Sequence, residues 1–149
     1  GQVQSNKTRA IANSFSWVQS VDRARILRRL SDQRSAHMPP VNVCLQVNID
    51  NEPQKAGCGE AEVVELAELA MDLPGIQLRG LMAIPGIDEA TGRTAKESFI
   101  RMRSLFDQCL TRGFKMDTLS MGMSSDLEQA ISAGSTMVRI GTDIFGPRP

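Results

Sequence analysis

The sequence has no tyrosine, a single tryptophan, a single histidine and three cysteines in 149 residues. Each shortage removes a class of chemistry. Cys44, Cys58 and Cys109 form no CxxC pair and have only His37 to complement them, so no zinc cluster of ordinary ligand spacing can be assembled. Three widely separated cysteines do not make a disulfide framework either. They are expected as reduced thiols, Cys44 and Cys109 buried as small hydrophobes and Cys58 in a loop. No cysteine–histidine pair is apparent for thiol catalysis. Net charge is absent too: 17 Lys+Arg offset 17 Asp+Glu. That balance argues against nucleic-acid binding by general phosphate neutralisation, so Arg23, Arg25, Arg28, Arg29 and Arg34 are read as the basic surface of one helix. No stretch approaches the roughly 18 consecutive apolar residues of a membrane span. The polar opening, from Gly1 to Lys7, lacks the regions of a secretory leader. The expectation is a cytoplasmic protein that binds neither nucleic acid nor membrane.

With 41% hydrophobic and 23% charged residues, the chain has the composition of a globular core, and residues 1–149 are expected to form a single domain. Strand and helix patterns alternate along it. A short helix is expected over 6–15 and a strand over Trp17–Val21. A basic helix follows over 23–36, capped by Asp22, with Ile26, Leu27 and Leu30 on one face. Pro39-Pro40 stops it, and 41–49 is the clearest strand, rich in β-branched residues. A polar loop covers 50–59. The helix expected over 60–73 has Val63, Val64, Leu66, Ala67 and Ala70 inward and its glutamates early, where the helix dipole favours them. Next come a strand over 76–84, a loop over 88–93, and the longest helix over 94–112, ended by Gly113. A strand over Thr118–Met123, a short helix over 126–133 and a last strand over 138–145 complete the series.

Five strands, each but the last followed by a helix, fit either an open doubly wound α/β sheet or part of a (β/α) barrel. The glycine fingerprints GxGxxG and GxxxxGK[ST] are both missing. Gln19, Gln46, Asn48 and Ser120 mix polar groups into the strands, as barrel interiors near a site do. A complete barrel takes about 250 residues, so this chain would be around three-fifths of one. In either architecture the working residues lie at the carboxyl ends of strands. Two such ends stand out. Residues 120–126, SMGMSSD, combine a glycine, several hydroxyls and a helix start, although Ser124 or Ser125 could serve only as a cap. Residues 139–142, RIGT, follow one short helix later. Together they form a phosphate cradle, unless Arg139 merely pairs with Asp143 or Asp126 and Gly141 is only a bend.

These residues resemble a known family. Ser120-Met121-Gly122-Met123-Ser124-x-Asp126, followed by Ala130-Ile131 and the run Gly134-Ser135-Thr136-x-Val138-Arg139-Ile140-Gly141-Thr142-x-Ile144-Phe145-Gly146, is similar to the carboxyl-terminal signature of pyridoxal phosphate homeostasis proteins. These are also described as proline synthase co-transcribed proteins. Gly1-x-x-Gln4-Ser5-Asn6-Lys7, Trp17-Val18-x-Ser20-Val21-Asp22 and Gln46-Val47-Asn48 with Glu52, Lys55 and Gly57 match as well, so the resemblance covers nearly the whole chain. It implies a (β/α)8 TIM-barrel type fold like the amino-terminal domain of alanine racemase, here a partial barrel lacking the first strands. It also implies pyridoxal 5′-phosphate (PLP) as cofactor. By position, Ser124, Gly141 and Thr142 would hold the phosphate, Ser120 would line the same pocket and Arg139 would face the pyridine nitrogen.

A permanently charged guanidinium there disfavours a proton on the ring nitrogen and weakens the cofactor as an electron sink. The chain departs from the pattern at one point: the family's Schiff-base lysine belongs to the first barrel strand, upstream of residue 1. Of Lys7, Lys55, Lys96 and Lys115, the last three read as surface charges and Lys7 as the least unfavourable substitute. The missing strands would leave open sheet edges, with PLP held weakly and without covalent linkage.

The expected function is therefore PLP (vitamin B6) homeostasis by a carrier or regulator without robust catalysis, monomeric at full length, with PLP-requiring apo-enzymes as recipients. The alternative is a PLP-dependent racemase or decarboxylase. That reading needs a second acid/base residue, yet tyrosine is absent and His37 lies away from the strand ends. A pure interaction module would leave PLP affinity untouched by Arg139→Ala. Met121 and Met123 are expected to line the ligand site, and Trp17 to pack between helix and barrel.

Overall fold

Strands of this chain lie in the order in which they are made. The computed structural model describes residues 1–86 and 94–146. Its five parallel strands are β1 (Trp17–Val21), β2 (Val41–Gln46), β3 (Ile76–Met82), β4 (Thr118–Met123) and β5 (Met137–Arg139), paired in the sequence β1-β2-β3-β4-β5. A doubly wound sheet reverses its strand order at a switch point, whereas a barrel sets each strand beside the last. The sequential order therefore makes this a partial (β/α)8 barrel. Its curvature is visible in the side chains. Gln19 on β1 reaches across the concave face to Ser120 on β4, whose hydroxyl donates to it at 2.7 Å, and to Met137 Sδ on β5 at 3.0 Å.

Pairing separates two rows of side chains. Leu45, Leu81 and Leu119 sit side by side, fully buried, on the helix-facing surface. Gln46, Met82, Ser120 and Met137 form the adjacent row on the concave surface. Helices α1 (Thr8–Ser14), α2 (Ala24–Gln33), α3 (Val63–Asp72), α4 (Ala95–Thr111), α5 (Leu127–Ser132) and α6 (Thr142–Phe145) alternate with the strands. Ile26, Leu27 and Leu30 of α2, Val63, Ala67 and Ala70 of α3, and Phe99 and Met102 of α4 close the core. A 3-10 turn, Glu60–Glu62, leads into α3. Thr94 and Glu97 cap α4 reciprocally, which sets its start where the sequence indicated. The expected loop over 88–93 lies outside the described residues.

Several boundaries differ from expectation. Asp22 does not cap α2: the cap position is Arg23, and the Asp22 carboxylate instead accepts from Arg23 at 2.7 Å and Gln2 at 3.2 Å. The helix ends at Gln33 because Arg34 turns extended and donates to the carbonyls of Pro39 and Phe15 at 2.7 and 2.9 Å. Strand β2 stops at Gln46 rather than residue 49. Beyond it the chain is held by the 50–57 loop, through Gln46 to the Ala56 carbonyl at 3.1 Å and Asn48 to Glu52 at 2.9 Å. The expected strand over 138–145 is the short β5 followed by α6. Gly141 breaks the extended run and its carbonyl accepts the N–H groups of Ile144 and Phe145 at 3.0 and 2.9 Å. Ile140 and Ile144, four apart, satisfy a helical turn as well as a strand.

Trp17 does not sit between helix and barrel. The Arg79 guanidinium lies 4.6 Å from its ring centroid and also binds Asp117 at 2.6 Å and Asn42 at 2.9 Å, filling the amino-terminal end of the barrel. That pairing holds the Asp117 carboxyl below its ordinary range. In the basic run, Arg23, Arg29 and Arg34 donate to backbone carbonyls of residues 3, 5 and 15, so they fasten the first segment to α2; Arg25 and Arg28 are exposed. Among the described residues no helix is long and apolar enough to cross a membrane, and no acidic, cysteine and histidine side chains gather as a metal site.

All three thiols are buried. Cys58 is in a loop, as expected, yet it is pinned: its N–H donates to Gln46 and its carbonyl accepts from Asn48, both at 2.9 Å. Burial pushes Cys44 and Cys58 from 9.0 up to about 12. The native state thus keeps protons that the unfolded chain releases. This stabilisation is full below about pH 9 and is lost as pH climbs through 12, at about 1.4 kcal/mol per pH unit for each thiol. Urea midpoints measured from pH 8 upward should fall along that course, and Cys58→Ala should make the decline shallower.

Candidate functional site

β4 and β5 are neighbours, so the turns at their carboxyl ends must share one rim. The first turn is shaped by Gly122 and Asp126. Gly122 has φ +96°, and a Cβ on it would lie 2.4 Å from the Ala130 Cβ, so glycine allows α5 to settle against β4. Asp126 occupies the cap position of α5, but its carboxylate turns back to accept the Met123 N–H at 2.6 Å. Neither Ser124 nor Ser125 caps the helix. Ser124 instead links the two turns, its hydroxyl oxygen accepting the Asp143 N–H at 3.3 Å.

Between the turns lies an open cavity of about 780 Å³, lined by Met123, Ser124, Ser125, Arg139, Gly141 and Thr142 among others. Gly141 there has φ −119°, outside the left-handed region, and a Cβ on it would meet nothing within 4 Å. Neither backbone conformation nor packing among the described residues calls for glycine. Open space beside its backbone is what the close approach of a phosphate needs. The N–H groups of Gly141 and Thr142, at the start of α6, have no intrahelical acceptor and are available to that approach. The residues present therefore fit a phosphate ester.

Arg139 supplies the charge. It is half-buried, makes no ion pair among the described residues, and donates to Ser120 Oγ at 2.5 Å and to the Ala83 carbonyl at 2.9 Å. The ion-pair alternatives are not realised among the described residues: the Asp126 carboxylate holds the Met123 amide, and Arg139 donates to Ser120 and Ala83 rather than to Asp143. Burial draws the Arg139 pKa below its ordinary value, with Asp126 and Cys44 opposing the shift. Guanidinium remains charged at neutral pH. A half-buried cation whose hydrogen-bond partners among the described residues are all neutral favours an anionic or electron-rich ligand.

Ser120 is placed differently from the other expected site residues. It is fully buried and lies one layer beneath Arg139, away from the cavity lining. Its direct role here is to hold the guanidinium. Two members of this arrangement escaped the sequence analysis. Gln19 was visible only as a polar strand residue, and the Ala83 carbonyl carries no side-chain signal at all. Met123 lines the cavity, whereas Met121 is core.

None of the lysines lines the cavity. Lys7 is the cap residue of α1 and exposed, Lys96 and Lys115 are exposed, and Lys55 is a half-buried partner of Glu52 at 3.0 Å rather than a free surface charge. His37 is exposed beyond α2. On the same rim Asp50 accepts from Gly86 N–H at 3.0 Å and from the Ser98 hydroxyl at 2.6 Å, tying the end of β3 to α4.

A barrel segment whose adjacent final turns carry hydroxyls, a sterically free glycine and an arginine has the parts from which (β/α) barrels build their phosphate sites. The chain belongs to the alanine racemase N-terminal domain family, whose model matches residues 1–149. It is 53% identical over 150 residues to the pyridoxal phosphate homeostasis protein of Pseudomonas aeruginosa, covering 99% of this chain and 63% of that protein. The protein of the same name from Escherichia coli is 51% identical over 148 residues, with 99% and 63% covered. The chain thus spans about 63% of the length of these curated relatives. Among solved structures, PipY of Synechococcus elongatus with PLP bound superposes with a TM-score of 0.81 at 32% identity, over 98% of this chain and 68% of that one. PipY without PLP gives 0.83 at 34%, with the same coverage. An alanine racemase from Clostridium difficile, 16% identical, shares the fold with a TM-score of 0.79 over all of this chain and 39% of its own.

Proposed function

We propose that this chain binds PLP at the rim formed by β4 and β5 and serves PLP homeostasis, holding and handing over the cofactor without robust catalysis of its own. The observation that carries this reading is the cavity at Gly141, open beside a backbone that needs no glycine, with the Arg139 guanidinium, in no ion pair among the described residues, at its wall. Ser124 and the N–H groups of Gly141 and Thr142 take the phosphate. Arg139 meets the ring nitrogen, and Ser120 holds Arg139 in place. When bound, PLP supplies an electrophilic aldehyde on a conjugated ring. Arg139 keeps a proton off the ring nitrogen, which suits storage better than carbanion chemistry. The cavity lining contains neither histidine nor lysine. A racemase or decarboxylase would use such a group as acid/base, so the carrier reading is preferred to that alternative. Residues 1–149 act as one domain, the carboxyl-terminal three-fifths of the barrel. None of the four lysines lines the cavity, so this chain holds PLP there without covalent linkage. The full-length protein is monomeric and cytoplasmic, and PLP-requiring apo-enzymes receive its cofactor. The relatives' names and the PLP-bound PipY structure support this reading.

Titration of the chain with PLP and with pyridoxal, which lacks the phosphate, tests it. PLP should bind at least about tenfold more tightly, inorganic phosphate should compete, and Ser124→Ala should weaken PLP by about three- to tenfold. Equal affinity for both compounds would overturn the assignment. Borohydride treatment that fixes PLP to one of the four lysines would overturn the non-covalent mode.

A further inference from the structure

Building on the proposed PLP site, we infer that Gln19 is a positioning residue: acting through Ser120, it fixes the direction of the Arg139 guanidinium and keeps its charge uncompensated where a ring nitrogen would meet it. The polarity of the link follows from donor chemistry. Arginine offers donors and no acceptor, so at 2.5 Å Ser120 Oγ must accept from Arg139. The single Ser120 hydroxyl proton then goes to Gln19 Oε1 at 2.7 Å. The Gln19 amide N–H points to Met137 Sδ at 3.0 Å, a weak acceptor. Turning the amide over would set a second donor against Ser120 and leave its proton without a partner. Ser120 is fully buried, so solvent does not compete for the arrangement.

Every contact of the guanidinium in this link is neutral. A carboxylate in place of Gln19 would stand one hydroxyl away from Arg139 and cancel much of its field. The other ionisable groups that act on Arg139 are Cys44 on β2, kept neutral by burial, and Asp126 on the rim. Arg79 lies beyond Cys44, paired with Asp117. Gln19 is thus the position behind the arginine where a change of one atom alters the charge presented to the ligand. The link also joins the first strand of the sheet to the fourth and fifth.

Pyridoxine 5′-phosphate tests this on the chain as it stands, since it keeps the ring and phosphate but has no aldehyde to engage a lysine. Its ultraviolet band reports protonation of the ring nitrogen. Bound to Gln19→Glu, its protonation midpoint should rise by about one pH unit relative to the unsubstituted chain. Ser120→Ala should weaken pyridoxine 5′-phosphate about tenfold and benzyl phosphate, which has no ring nitrogen, by about twofold at most. Circular dichroism and thermal melts establish that each variant is folded; should Gln19→Glu fail to fold, the Ser120→Ala comparison decides alone. An unshifted midpoint in folded Gln19→Glu, or equal losses of both probes in Ser120→Ala, would overturn the role of Gln19 while leaving the PLP site intact. Failure of the unsubstituted chain to bind either phosphate ester would remove the PLP site itself and the inference with it.

Discussion

Gly141→Val is expected to lower affinity for PLP about a hundredfold, or close to 2.7 kcal/mol, with little change in thermal stability. The two effects separate because of where a side chain at this position would go. A Cβ there meets no atom of the described residues within 4 Å and the backbone has φ −119°, so the fold can accept the larger residue. Its cap position at the start of a four-residue helix costs at most about 1 kcal/mol, or roughly 4 °C in a domain of this size. The isopropyl group would instead occupy the cavity between the turns, where the phosphate has to approach the Gly141 and Thr142 amides. Parallel PLP titrations and melts check both halves. Unchanged PLP binding by a folded Gly141→Val chain would place the phosphate elsewhere.

The opposite outcome is expected at Gly122. Gly122→Ala should destabilise the chain by about 3 kcal/mol, near 10 °C, because two penalties coincide. The backbone at φ +96° is strained for any L side chain, at roughly 1–2 kcal/mol, and the new methyl would collide with the Ala130 Cβ at 2.4 Å. A double-mutant cycle with Ala130→Gly separates them. Removing the opposing methyl should recover the collision, giving a coupling of about 1–2 kcal/mol, and leave the backbone strain in place. Strictly additive losses in urea unfolding would show that contact with Ala130 does not govern how closely α5 approaches β4. The same displacement would move Ser124 away from Gly141 and weaken PLP binding in proportion.

Much of the local structure was legible from residue order. β1 and β4 begin and end where alternation and the flanking residues put them, and α4 begins at the Thr94 cap box. Errors fell where a tertiary partner overruled a local preference. Asp22 looks like a cap but lies within reach of Arg23 and Gln2. The run from residue 138 to 145 looks extended, yet Gly141 folds its second half into α6. Of the five residues assigned to the ligand, the structure brings Ser124, Arg139, Gly141 and Thr142 to one cavity and sets Ser120 beneath them. That grouping followed from two strand ends spaced by one helix and from the family signature. The layering within it did not.

From its order of residues alone, the chain determined that it would alternate parallel strands and helices, and that its chemistry would gather near the carboxyl ends of the last two strands. Periodicity, turn formers and spacing are local quantities, and a sequence carries them openly. Spacing left a doubly wound sheet and a barrel both open, and the family signature pointed to the barrel; tertiary structure alone decided that Gln19 reaches Ser120 across 101 positions and that Arg139 rests on neutral oxygens instead of a carboxylate. Those outcomes depend on how far the sheet rolls to bring β1 opposite β4 and β5, which no segment of the chain encodes by itself.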